Sequence, residues 1–224
     1  MKKAIVFGAS GGVGGAVTGK LLERGYFVCG VGSDQEKNEI LTRAMVSERL
    51  SVCRIDVAHP ESVNSGIDQI KRAHSRIDAV VYSISATIKH QSILQSGWQD
   101  YQVHLDVQLR GLYNVVAGLR KDIIDGGGIR LVVLLTEACL GKPPSGIASY
   151  VTAKYALLGF TKCLAVELAR YRCTVNMISP GVLKTELTAD FPDKLIEMEI
   201  QNNPLGRIAT TDDVANLVVF LLGE

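Results

Sequence analysis

Apolar and polar positions along this chain alternate between two periods. Short, mostly apolar runs occupy 3–7, 27–31, 51–55, 77–82, 130–135 and 173–178, and they read as buried strands. Between them lie longer stretches at 13–24, 35–48, 60–75, 98–124, 149–170 and 211–222, where apolar residues return every three or four positions as on an amphipathic helix. Strand and helix in regular alternation predict βαβ units, hence a parallel sheet covered by helices on both faces. No repeat, low-complexity tract or linker divides the pattern, so residues 1–224 are expected to form one α/β domain. Gly126, Gly127 and Gly128 read as the turn that ends the long fourth helix.

Composition narrows the class of partner. At 224 residues and 47% apolar content, one core can bury about three-quarters of the unfolded surface. The 24 basic and 23 acidic residues leave a charge of +1 with no long block of one sign, so no nucleic-acid or membrane footprint is expected. A compact cofactor and a small substrate fit better. Cys29, Cys53, Cys139, Cys163 and Cys173 are scattered without metal-site spacing, so no metal is expected and a reducing compartment is implied. Met1-Lys2-Lys3 runs straight into the first strand, and no apolar run approaches a membrane span. The expected localisation is cytoplasmic.

Two patterns carry candidate chemistry. After the first strand, Gly8, Gly12 and Gly14 allow a sharp turn and close approach to a pyrophosphate resting on amides at the start of the next helix. Far downstream, Tyr150 and Lys154 stand four apart and share one helix face. A cation beside a phenol lowers its pKa from about 10 toward the working range, as general acid–base chemistry requires. Taken singly, each pattern also fits a plain turn or a solvated helix face.

With these motifs in their order, the chain resembles the short-chain dehydrogenase/reductase family, in the single-domain branch that includes bacterial 3-oxoacyl-carrier-protein reductases. The resemblance runs from residue 3 to about 222. It rests on Gly8/Gly12/Gly14, Asp56-Val57, Tyr150-x-x-x-Lys154, Asn176 with Pro180-Gly181 and Thr185, and Pro204 to Arg207 followed by Asp212 to Ala215. It implies a Rossmann-type doubly wound sheet of six or seven strands, a nicotinamide dinucleotide, and hydride transfer between a ketone and a secondary alcohol. On that basis Tyr150 is the acid/base, and Lys154 holds the nicotinamide ribose and lowers the tyrosine pKa. Gly8, Ser10, Gly11, Gly12, Val13 and Gly14 cradle the phosphates, and Asp56 and Val57 border the adenine. Ser83, Ile84 and Ser85 flank the cofactor, while Pro180, Gly181, Val182 and Thr185 line the nicotinamide end. Asp56 and Thr185 also read as helix-capping residues, and Pro180-Gly181 as a turn.

The end of the second strand bears on cofactor choice. An acid there binds the ribose 2′-hydroxyl of NAD, whereas NADP sites omit it. Here the acid position is Gly32, followed by Ser33, which can donate to a phosphate. No arginine occupies the glycine turn or follows that strand, leaving Lys37 as the cation within reach, and Asp34 would repel a phosphate or bind a ribose. The balance favours NADP(H) over NAD(H).

Several positions depart from the family pattern. The serine usual thirteen residues before the tyrosine is replaced by Glu137, with Thr136 one position earlier and able to supply the hydroxyl. Glu137 otherwise binds a cationic substrate group or faces solvent. Ser145 and Ser149 are weaker candidates. The family's helix asparagine becomes Gln108, and His104 beside it reads as a plain polar residue. Tyr82 and Phe7 replace smaller or polar residues. The family's last strand is missing from this sequence, whether lost or cut off. Lys184 to Asn203 resembles a substrate lid and predicts an amphipathic helix over a partly apolar pocket, although an ordinary surface helix fits the same pattern. The two long helices imply a homodimer or homotetramer. An NAD(P)H-dependent oxidoreductase acting on a small carbonyl or alcohol is the leading expectation, and a dinucleotide-binding sensor of the same fold is the alternative.

Overall fold

The computed structural model describes residues 1–74 and 76–223. Position 75, the expected end of the third helix, lies outside the described residues. Six strands, β1 (Lys3–Phe7), β2 (Phe27–Gly32), β3 (Leu50–Arg54), β4 (Ala79–Tyr82), β5 (Arg130–Leu134) and β6 (Thr174–Ile178), form one sheet in the order β3-β2-β1-β4-β5-β6. Every pairing is parallel. The order reverses at β1, which pairs with both β2 and β4, and ligands of open α/β sheets bind beyond the strand ends at such a point.

Alternation along each strand divides the core in two. Ile5, Phe7, Val80, Tyr82, Leu131 and Val133 face one side. There they meet α3 (Pro60–Ala73), α5 (Gly111–Gly118) and α6 (Ala148–Leu168) through Ile67, Leu112, Val115 and Leu157. Ala4, Val6, Val28, Val81, Val132 and Leu134 face the other, against Val17 and Leu21 of α1 (Gly12–Glu23) and Val214, Val218 and Leu222 of α8 (Thr211–Leu222). Each fully buried leucine contributes about 1.5–3 kcal/mol. Pro60 opens α3 at the position where its missing N–H costs nothing. Thr210 and Asp213 cap α8 reciprocally: Thr210 Oγ1 accepts from the Asp213 amide at 3.1 Å, and the Asp213 carboxylate accepts from the Thr210 amide at 2.9 Å. The Arg207 guanidinium adds a 2.7 Å ion pair and holds the Asp213 carboxyl well below the usual carboxylate range.

Three expected elements change shape. The helix α2 (Gln35–Ala44) ends four residues before position 48. The stretch 98–124 is not one regular helix. It runs as α4 (Trp98–Leu105), a π-helical turn (Asp106–Arg110), α5, and a second π-helical turn (Asp122–Gly126). Gly127 and Gly128, at φ +59° and +75°, then end it as the glycine run predicted. The lid segment contains a short 3₁₀ turn (Glu186–Thr188) and α7 (Asp193–Asn202), which buries no residue completely. Its apolar anchors are Leu187 and Phe191, which pack on Ile88, Ile147, Tyr150 and Val151.

The two aromatic departures are partners. Phe7 and Tyr82 lie side by side with ring centroids 6.0 Å apart, both wholly buried. The Tyr82 hydroxyl donates to the carbonyl of Val107 inside the first π-helical turn. A Cβ on Gly111 would collide with that hydroxyl and come 2.8 Å from Val57 Cγ2, so the helix approaches β4 only because residue 111 is glycine. Tyr82→Phe is expected to cost about 1–3 kcal/mol by leaving a buried carbonyl unpaired. Gly111→Ala is expected to cost a similar amount, about 1–3 kcal/mol, through overpacking. The double variant should lose less than the sum, because removing the hydroxyl relieves part of the clash. Urea unfolding of the four chains measures this; strict additivity would refute the coupling.

Candidate active site

The candidate cofactor cradle is built by the turn after β1. The amides of Gly8 and Ala9 both donate to the Val31 carbonyl at 2.8 and 3.1 Å, tying the turn to β2. Gly8 takes φ +86°, and a Cβ there would sit 2.5 Å from the Ser83 carbonyl oxygen, while a Cβ on Gly14 would collide with the Gly8 carbonyl. Gly11 is the N-cap of α1 and brings no side-chain hydrogen bond, so the first amides of the helix remain available to an anion. Ser10 Oγ lies under Gly32, and Gly12 faces the Thr185 methyl group. This cradle fits a pyrophosphate.

From it an open cleft extends over the ends of β4, β5 and β6. Val13, Ser83, Ile84, Ser85, Thr136, Tyr150, Lys154, Pro180, Gly181 and Thr185 line it, joined by Leu134, Leu135, Leu183 and Leu187, which the motifs did not single out. Val182 stands beside this lining without entering it. Asp56 and Val57, expected to border the adenine, follow the end of β3, beyond this lining. Val57 is a core residue, 2% exposed, and its carbonyl accepts from Asn114 Nδ2 at 2.8 Å. Asp56 is exposed and closes a local turn, its Oδ1 accepting from the Ala58 amide at 3.0 Å. A strand-end dipeptide cannot reveal which of its two side chains turns inward.

At the centre of the cleft, Tyr150 and Lys154 project from one face of α6, and Thr136 lines the same cleft. Thr136 precedes a 3₁₀ turn (Glu137–Cys139) that follows β5, and its Oγ1 accepts from the Ala138 amide at 3.3 Å. Lys154 is 3% exposed, donates to the Leu134 carbonyl at 2.7 Å, and lies 5.7 Å from the Tyr150 ring centroid. The expectation that Lys154 lowers the tyrosine pKa needs correction in this state. Burial pushes Tyr150 up to about 12, opposed in part by the neighbouring Thr136 hydroxyl. Burial also pulls Lys154 down to about 8. Both groups have lost water, and the lysine gives its hydrogen bond to the backbone.

Glu137 is exposed. Its amide donates to the Pro180 carbonyl at 2.8 Å and a carboxylate oxygen lies against Gly181, while Thr136 faces the cleft. Ser145 and Ser149 do not line the cleft. Gln108 is wholly buried on the first π-helical turn, its Nε2 3.4 Å from Ser85 Oγ and 3.2 Å from His104 Nδ1. His104 is therefore no plain surface residue. It is 3% exposed, meets the Tyr150 ring edge-on at 5.9 Å, and has its pKa lowered by burial and then by the Lys154 charge. Its spacing four before Gln108 was the available signal.

At the adenosine end, Asp34 caps α2, its Oδ1 accepting from the Lys37 amide at 3.2 Å. Lys37, expected near a phosphate, pairs instead with Glu186 at 2.6 Å. Arg54, which the sequence pattern passed over, donates from Nε to the Ser33 carbonyl at 2.9 Å. The parallel register that pairs it with Gly32 becomes visible only once β2 and β3 are placed side by side.

A parallel sheet, a glycine cradle at its switch point and a Thr-Tyr-Lys cluster define a dinucleotide-binding α/β protein. The family model described as enoyl-(acyl carrier protein) reductase matches residues 8–224, and the chain belongs to the short-chain dehydrogenase/reductase family. It is similar to 3-oxoacyl-[acyl-carrier-protein] reductase FabG of Chlamydia pneumoniae, 28% identical over 100% of this chain and 90% of the relative. FabG of Aquifex aeolicus is 29% identical with the same coverage. NAD+-bound xylitol dehydrogenase superposes with a TM-score of 0.91 at 24% identity, covering 100% of this chain and 92% of the other. At that identity the superposition shows the fold. The chain is an NAD(P)-dependent oxidoreductase acting between carbonyl and alcohol.

The burial of Lys154 has a pH signature. Between about 8 and the ordinary value of 10.5, the unfolded chain holds the lysine proton and the folded chain does not. The unfolded state then binds more protons, so stability rises with pH across this window. Tyr150, raised from 10.0 to about 12, acts oppositely above pH 10. The stability of the natural chain relative to Lys154→Met should therefore increase between pH 8 and 10, by on the order of 2–3 kcal/mol in full. Parallel melting profiles for the two chains would show that the lysine is not depressed.

Proposed function

We propose that the chain reduces a small ketone, or oxidises the matching secondary alcohol, with Tyr150 as the general acid/base. The observation that carries this reading is the convergence of Thr136, Tyr150 and the buried Lys154 in one cleft. When bound, the nicotinamide dinucleotide supplies or accepts the hydride at the substrate carbon. Gly8 to Gly14 hold the phosphates, and Pro180, Gly181 and Thr185 flank the nicotinamide end. Thr136 and Tyr150 both donate to the substrate oxygen, and Tyr150 passes its proton as the alkoxide forms. With its pKa above neutrality, the phenol stands protonated and ready to act as an acid. The Lys154 ammonium, in a low-dielectric setting, stabilises the phenolate left behind. Gln108 holds Ser85 and His104 behind this group. The absence of an acid at Gly32 supports NADP(H) over NAD(H). The names of the curated relatives make 3-oxoacyl thioesters the first substrates to test.

Tyr150→Phe is expected to lower turnover by about 10²–10⁴-fold with cofactor affinity unchanged, as read by steady-state kinetics and calorimetry. An undiminished rate would remove Tyr150 from the mechanism and return the chain to a binding role.

The reading extends to assembly and location. Trp98, Val103, Tyr113, Tyr155 and Val166 are exposed apolar side chains on α4, α5 and α6, the helices expected to pair between subunits, which supports a homodimer or homotetramer. No helix among the described residues is long and apolar enough to cross a membrane, and all five cysteines are free; both accord with a cytoplasmic protein. Sedimentation at micromolar concentration should give a dimer or larger species, and replacing Tyr113 and Tyr155 together with aspartate should shift it toward monomer.

A further inference from the structure

The adenosine end of the cleft carries a set of charges that the proposed chemistry does not use. Gly32 closes β2 where a ribose-binding acid stands in NAD-specific folds. No side chain fits there. A Cβ on Gly32 would collide with the Asn38 amide oxygen and come 2.8 Å from Ser10 Oγ. Asn38 is 4% exposed, donates from Nδ2 to the Gly32 carbonyl at 3.1 Å, and has no partner for Oδ1 among the described residues. The space an acid would need is thus filled from below by an amide, and its unpaired acceptor repels a carboxylate. The next acid, Asp34, is turned to the amides of α2 as its N-cap.

Cations divide in the same way. The Lys37 ammonium is held by Glu186 at 2.6 Å, so a phosphate would have to displace a carboxylate to reach it. Arg54 is held differently. Its Nε donates to the Ser33 carbonyl at 2.9 Å, which fixes the guanidinium at the mouth of β2. No other hydrogen bond or ion pair occupies it among the described residues, and both Nη groups remain open. A planar fork anchored at one nitrogen and open at two matches phosphate geometry.

We propose that Arg54, reaching across from β3, is the specificity-determining residue that selects a dinucleotide carrying a 2′-phosphate over one without it. The inference rests on the NADP(H) preference proposed above and assigns it to β3 instead of the glycine turn or α2. Ser33 and its neighbours position the fork, and Asn38 keeps the competing acid out.

Calorimetric titration of the full chain with NADPH, NADH, 2′,5′-ADP and 5′-ADP tests it without any substrate. Arg54→Gln should weaken NADPH and 2′,5′-ADP about tenfold, and change NADH and 5′-ADP less than about twofold, as loss of a charged hydrogen-bonding partner requires. Lys37→Gln should weaken NADPH less than about threefold. Arg54 is exposed and makes one side-chain bond, so an unchanged melting temperature should confirm the fold of its variant. If the natural chain prefers NADPH and Arg54→Gln keeps that preference, or Lys37→Gln destroys it, the assignment to Arg54 is overturned and the cofactor preference stands. If the natural chain binds NADH at least as tightly as NADPH, the preference fails and the assignment with it.

Discussion

An ammonium group 3% exposed to solvent survives in a protein interior only if something replaces its water, and here the Leu134 carbonyl does so. Removing such an ion from water costs several kcal/mol, and a single 2.7 Å hydrogen bond does not recover it. The depressed lysine pKa is the remaining cost. The arrangement is useful because Leu134 is the last residue of β5: the carbonyl that fixes Lys154 also fixes the origin of the turn carrying Thr136. One strand end therefore sets the positions of the lysine, the threonine and, through α6, the tyrosine. Stability is given up locally to hold three polar groups in register.

The second constraint is steric and lies behind the site. A parallel sheet brings β4 close under the fourth helical layer, and in this chain the gap is filled by Phe7 and Tyr82. Filling it with a phenol requires a donor partner and room for the hydroxyl. Val107 supplies the acceptor and Gly111 the room, one at each end of the widened helical turn that carries Gln108. The aromatic substitutions, the glycine and the π-helical turn thus form one packing solution. This solution places Gln108 and His104 behind Tyr150, so the composition of the core reaches the active site through a helix irregularity.

That link marks the boundary between what periodicity reveals and what it conceals. The strands and the long helices were legible because Ile5, Val80 and Val132 sit in short, nearly continuous apolar runs and Leu21, Ile67 and Leu157 follow a helical period. The glycine turn and the Tyr150–Lys154 pair were legible because their chemistry depends on fixed spacing. The π-helical turns were not, since π and α segments share nearly the same apolar pattern over five residues. Thr136 and Glu137 are adjacent, and only the 3₁₀ turn after β5 decides which faces the cleft. For Val57 and Asp56 the sequence likewise leaves open which side chain is buried, because the side of the strand end that turns inward depends on the following loop. Arg54 is a long-range case: Asp56-Val57 beside it point to the adenine, but the β2–β3 register alone brings it to Ser33.

Apart from Tyr150 and Lys154 on α6, the polar groups at the cleft stand on irregular backbone at the ends of regular elements. Gly8 to Gly11 follow β1, Ser83 to Ser85 follow β4, Thr136 precedes a 3₁₀ turn after β5, and Thr185 precedes another beyond β6. Regular sheet supplies rigid placement, while the irregular segments leave amides, carbonyls and hydroxyls uncommitted to ladders. The same division explains how a chain of net charge +1 can discriminate charged ligands. Its overall field is weak, so selectivity depends on which local charges are already neutralised. Asp34 is turned into its helix and Lys37 is tied to Glu186, whereas Arg54 is oriented by a neutral carbonyl that leaves its charge intact. Under the proposed assignment, electrostatic choice at this cleft is made by hydrogen-bond geometry, through the pairing of some ions and the exposure of one.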